Sequence, residues 1–205
     1  MKLNFLKKNE PVYIREVMLQ FKDKPVDAKF ANTPIVDPDI VYELFSDLKD
    51  NAKETLLTIS LDKNLKIICF EVVAIGGNAI ANRPFEAIRA SIPINAYGII
   101  LVHNHPNGDP IPDKEDLEFT KELLMITKIG GMDFHDHIII GKDSYHSINK
   151  SHGMEKLYEQ RKEEERAIGR QEEKIAMARA LKSDGVDVKI ISKASGLLVK
   201  EIEEL

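Results

Sequence analysis

The chain has 205 residues, 43% of them hydrophobic, and a formal net charge of -5. That length suits one domain of about 150 residues with an appendage, with ample apolar content for a core. The acidic balance excludes a general attraction to nucleic acid or anionic membrane, and no apolar run is long enough for a membrane span.

The single cysteine, Cys69, cannot form an internal disulfide, which fits a reducing cytoplasm. The Lys-rich N-terminus has no apolar segment behind it, so no secretory leader is expected. Val12 to Phe21 is largely apolar at alternate positions and predicts a strand. Residues 22–35 read as a loop. Asp37-Pro38-Asp39 opens a helix over 38–48, with Ile40, Val41, Leu44, Phe45 and Leu48 on one face. Residues 54–61 and 66–75 form an antiparallel pair around Asp62-Lys63-Asn64. Gly76-Gly77 breaks the second strand, and Pro84 to Ser91 predicts a helix. A strand over 97–103 follows, then a helix over 113–129 closed by Gly130-Gly131, and a strand over 132–140.

The composition changes near Gly153. Residues 154–182 form a charge-dense helix, solvated or coiled-coil in character, and a candidate homo-oligomer contact. Residues 186–194 and 197–205 read as helices around Ser195-Gly196 and resemble a helix-turn-helix. The second carries Lys200 but also Glu201, Glu203 and Glu204. Dimerisation or packing is therefore favoured over nucleic-acid contact through 186–205.

The stretch that carries chemistry is His103-Asn-His-Pro-Asn-Gly-Asp-Pro-Ile-Pro-Asp-Lys-Glu-Asp116. On a strand, residues i and i+2 share a face, so His103 and His105 project together. Asp116 lies eleven residues beyond His105 at a helix head, where the loop could fold it back as an oxygen ligand. Two imidazoles and a carboxylate leave a fourth position open, as catalytic zinc requires. The plainer alternative is two histidines at a solvated strand end beside an acidic helix cap.

These residues, with Asp136-His-Ile-Ile-Ile-Gly141, Ser147 and Gly153, resemble the RadC-like branch of the JAB/MPN metallopeptidase superfamily (JAMM motif). The resemblance implies an α/β fold with a mixed, curved β-sheet flanked by helices. An N-terminal strand and loop (1–35) would lead into the JAB/MPN domain (36–153), followed by an all-helical tail (154–205). It also implies Zn2+ on His103, His105 and Asp116, and an upstream glutamate as general base. Glu71, before Gly76, matches by motif position, with Glu86 as fallback. Asp136 and His137 belong to the family pattern and suggest a supporting role around the metal. A second metal at His135-x-His137 lacks an evident third ligand.

One departure touches the chemistry. The family shows His-Asn-His-Pro-Ser-Gly-Asp-Pro and then Ser-x-x-Asp, and that second serine is Asp113 here. A serine there donates to the oxyanion of the tetrahedral intermediate. An ionised Asp only accepts, although it caps a helix equally well. The resulting expectation is a cytoplasmic zinc hydrolase of amide or isopeptide bonds in peptides or proteins, with catalytic Glu71 and Asp113 at the site. The rival expectation is a metal-bearing module in DNA repair or mobile-element biology that binds DNA or a protein.

Overall fold

The computed structural model describes residues 18, 20–25, 27–30, 33–76 and 83–205. Five strands form one open sheet: β1 (Thr55–Leu61), β2 (Ile67–Ile75), β3 (Gly98–Asn104), β4 (Asp133–Ile140) and β5 (Tyr145–Ser147). Their order is β2-β1-β3-β4-β5, and only β3 and β4 run parallel. A parallel pair needs a crossover, which α2 (Lys114–Ile129) provides. Bulges interrupt β1–β2 and β3–β4 and bend the sheet.

Every residue of β1 and β3 is buried, as their unbroken apolar character demands of central strands. Leu56, Ile99, Leu101 and Ile139 face one layer, which holds Phe119, Leu123 and Leu124 of α2. Leu57, Ile59, Ile100, Val102 and Ile138 face the other, where α1 (Pro38–Phe45) contributes Val41. Asp37 starts α1 by accepting the Asp39 N–H at 3.0 Å, a cap supported by Pro38 in the first turn.

The expected strand over 12–21 lies mostly outside the described residues; Met18, Gln20 and Phe21 belong to no regular element. The helix expected over 38–48 divides into α1 and a 3-10 helix, Ser46–Asp50. Pro84–Ile88 is likewise a 3-10 helix. Neither β5 nor α3 (Ile148–His152) was anticipated, because both are shorter than a hydrophobic repeat can report.

The charged stretch forms α4 (Met154–Ser183), a 30-residue helix about 45 Å long. Its head is not separate from the domain: Met154 and Leu157 are buried in the α2-side core. Lys121 of α2 lies 2.8 Å from both Glu118 and Glu164, tying the two helices together. Residues 163–174 are then exposed apart from Gly169. The far end packs Ala178 against Ile191 of α5 (Val188–Ser195), Leu197 and Ile202 of α6 (Val199–Glu203). Gly196, at φ 75°, makes the turn between them. Among the described residues no helix is long and apolar enough to cross a membrane.

Candidate metal centre

His103 is the penultimate residue of β3, and His105 follows where the strand ends. Asp116 sits in the first turn of α2 and is brought back by a reciprocal capping box. Asp113 accepts the Asp116 N–H at 2.8 Å, and the Asp113 N–H donates to Asp116 Oδ2 at 2.9 Å. His103 Nε2 and His105 Nε2 are 2.9 Å apart, and Asp116 lies 3.2 Å from the first and 3.3 Å from the second. A tetrahedral zinc ion with its usual bond lengths sets donors about 3.3 Å apart. The triangle fits that ion, and the donor set is chemically right for it. Among the described residues these three form the His/Asp group that could hold a metal.

The electrostatics suit a cation. Burial pushes the Asp116 carboxyl up, but the two neighbouring imidazoles and the Asp113 N–H outweigh this and hold it far below the carboxylate range. The Asp116 carboxylate in turn raises His105, against an opposing contribution from burial.

Each ligand is held from behind. His105 Nδ1–H donates to the Asp109 carbonyl at 2.7 Å. His103 Nδ1 lies 2.8 Å from His137 Nε2, and His137 Nδ1 lies 2.7 Å from the Thr120 hydroxyl. The Thr120 hydroxyl donates to the Asp116 carbonyl at 2.6 Å. The loop between the ligands rests on the end of β4: the His105 N–H donates to the Ile140 carbonyl at 3.0 Å, and the Lys142 N–H to that of Gly108 at 2.9 Å. A Cβ on Gly141 would lie 2.5 Å from that Gly108 oxygen and 2.7 Å from Pro110 Cδ, so glycine is required for the contact. Asn107 accepts the Asp109 N–H at 3.0 Å and so stabilises the turn of the loop.

Of the His103, His105 and Asp116 side chains, His105 borders a pocket of about 290 Å³, which is also lined by Glu54, Pro106, Asn107, Asp109, Ile111 and Asp113. Glu54 is a pocket residue that sequence reasoning missed. The β1–β3 ladder pairs Leu56 with His103; extended by two residues it brings Glu54 level with His105, on the same face. Burial raises the Glu54 carboxyl; His103 and His105 oppose the shift and Asp116 adds to it. Glu71 is placed differently. It pairs with Thr58 on β2, which β1 separates from β3, about 12 Å from His103 at standard strand spacings. It does not line the pocket, and its buried Oε2 has no hydrogen-bond partner. The signal for Glu54 was present: a strand antiparallel to β3 must begin where β3 ends.

Asn104 is fully buried. Its side-chain carbonyl accepts the Thr55 N–H at 2.8 Å, and its amide reaches the Asn51 and Lys53 carbonyls at 3.4 Å. It thus clasps the segment that carries Glu54.

Asp136 lies away from the His103, His105 and Asp116 group. It pairs with Ile100 and faces the α1 side, opposite to His137. Its carboxylate accepts the Ser147 hydroxyl at 2.6 Å and the Asn149 N–H at 2.9 Å, anchoring β5 and α3. Burial raises its carboxyl against those hydrogen bonds. His135 bulges over Gly98, its Nε2 2.4 Å from where a Cβ there would stand, and joins no metal group. Glu86 pairs with Arg83 and Arg89. His146 and His152 share Ser151, at 2.7 and 2.8 Å.

A family model described as the RadC-like JAB domain matches residues 35–154. The chain belongs to the RadC-like JAB domain family. JAB domains bind a metal, and the His103, His105 and Asp116 group could hold one here. A UPF0758 protein of Aquifex aeolicus is 34% identical over 117 residues, 57% of this chain and 51% of its own length. A UPF0758 protein of Methanosarcina mazei is 39% identical over 116 residues, 56% and 51% respectively. The chain spans about half the length of these curated relatives.

Proposed function

We propose that this RadC-like JAB domain is a zinc-dependent hydrolase of amide or isopeptide bonds in peptide or protein substrates. One observation carries the reading: three ligand atoms converge beside a pocket whose wall includes the half-buried carboxylate of Glu54. Zinc on His103, His105 and Asp116 would polarise the scissile carbonyl and acidify water. Glu54, rather than Glu71, takes the proton of the attacking water as its oxygen bonds the carbonyl carbon. It returns that proton to the nitrogen as the C–N bond breaks, so the products are a carboxylic acid and an amine. A carboxyl raised by burial is the better base for this cycle. Asp113 caps α2 and lines the pocket, but an ionised carboxylate there opposes an oxyanion instead of binding it.

The nucleic-acid reading draws less support, since α6 presents Glu201 and Glu203 beside a single Lys200.

Metal analysis of purified protein is expected to give about one zinc per chain, lost in His103→Ala/His105→Ala. On peptide and isopeptide libraries, Glu54→Gln lowers cleavage by about 10²–10⁴-fold with zinc retained, whereas Glu71→Gln stays near wild type. Zinc retained in the double variant, or wild-type cleavage by Glu54→Gln, refutes the proposal.

A further inference from the structure

We infer that the Thr120 hydroxyl, acting through His137, sets the tautomer in which His103 offers its Nε2 lone pair to a metal ion. The inference rests on reading His103 as a ligand.

The three contacts behind His103 form one unbranched line from His103 Nδ1 to the Asp116 carbonyl: 2.8, 2.7 and 2.6 Å. His103, His137 and Thr120 are 1, 2 and 0% exposed. A neutral imidazole has one donor and one acceptor nitrogen, and a hydroxyl has one proton. The line can therefore be polarised in two ways. If the Thr120 proton points to the Asp116 carbonyl, Thr120 Oγ1 accepts from His137 Nδ1–H. His137 Nε2 then accepts from His103 Nδ1–H, and His103 Nε2 is bare toward His105 and Asp116. If the Thr120 proton points to His137, every proton reverses. His103 Nε2–H then projects into the ligand triangle and blocks it.

The far end decides between them. A carbonyl cannot donate, and at 2.6 Å it makes the shortest contact in the line, so it draws the Thr120 proton and selects the open form. Asp116 thus acts twice, by its carboxylate as a ligand and by its carbonyl as the terminus that orients the opposite ligand. In Thr120→Val the open form would leave His137 Nδ1–H a buried donor without an acceptor. An orphaned N–H is costlier than an unpaired lone pair, so His137 moves its proton to Nε2 and His103 follows. Thr120 and His137 are positioning residues: neither belongs to the ligand triangle.

Zinc affinity, measured by competition with a chromophoric chelator, is expected to fall about 10–100-fold in Thr120→Val and to be recovered in Thr120→Ser. Ring ¹⁵N spectra of zinc-loaded wild type are expected to show protonated Nδ1 in both His103 and His137. In metal-free Thr120→Val the His137 proton is expected on Nε2, a change that simple loosening of the core would not produce. A protonated His137 Nε2 in zinc-loaded wild type overturns the inference without recourse to any variant. So does wild-type zinc affinity in Thr120→Val. Wild-type protein that takes up no zinc overturns the ligand assignment itself, and this inference with it.

Discussion

Asn104 accepts the Thr55 N–H through its side-chain carbonyl at 2.8 Å, joining the exit of β3 to the entry of β1. His103 and His105 flank Asn104, and Glu54 immediately precedes Thr55. Asn104→Ala leaves a buried N–H unpaired, a loss of about 1–3 kcal/mol readable by urea denaturation. Glu54 loses its placement, so turnover falls while zinc content holds. Equal losses of zinc and turnover would place Asn104 with the ligands instead.

Asp113→Ser restores a hydroxyl donor beside the pocket and keeps a competent helix cap. Removing an oxyanion donor elsewhere costs about 10²–10³-fold in kcat, so installing one is expected to raise kcat at least severalfold. KM and thermal stability should change little. Steady-state kinetics showing no gain would remove Asp113 from any account of the reaction rate.

Burial, together with the neighbouring His103, holds His137 well below the usual imidazole range. The folded chain keeps this ring neutral, whereas an unfolded one takes a proton below about pH 6.5. The unfolded state binds more protons there, so stability is full above that pH and falls as the pH drops. The slope for one such group approaches about 1.4 kcal/mol per pH unit. Urea titrations of metal-free protein between pH 7 and 5 should show a steeper decline in wild type than in His137→Gln. Identical slopes would count against a buried neutral His137.

Two glycines make a contrasting pair. Gly141→Ala drives a Cβ into the Gly108 carbonyl and the Pro110 ring, an overpacking that costs about 1–3 kcal/mol. It pushes the ligand loop away from β4, and zinc affinity is expected to drop as well. Gly169, on the exposed part of α4, has nothing within 4 Å of its virtual Cβ. Gly169→Ala should add about 0.5–1 kcal/mol to that helix and leave zinc affinity unchanged. Calorimetry and zinc titration on both variants check the pair.

The grouping of His103, His105 and Asp116 was legible because its geometry is local. Alternation on one strand aligns His103 with His105, and a capping box between Asp113 and Asp116 spans only four residues. The strands β1 to β4 and the helix α2 announced themselves by period and by glycine or capping ends. Glu71 lies two strands from His103, on β2, because its placement depends on register across three strands, which motif position does not encode. Asn104 and Thr120 looked ordinary for a related reason: their partners, Thr55 and His137, are distant in sequence or belong to another element. Asp136 was paired with its neighbour His137, although successive residues of a strand face opposite layers.

His103, His105, Asp116, Thr120 and His137 all come from the run β3-α2-β4, while Glu54 arrives from β1. In the proposed reading, gripping an ion and exploiting it are thus inherited from separate stretches of chain. A lesion at the entry of β1 could silence the reaction and leave the grip intact. In such a descendant, the ion would persist as a rivet between the end of β3 and the head of α2.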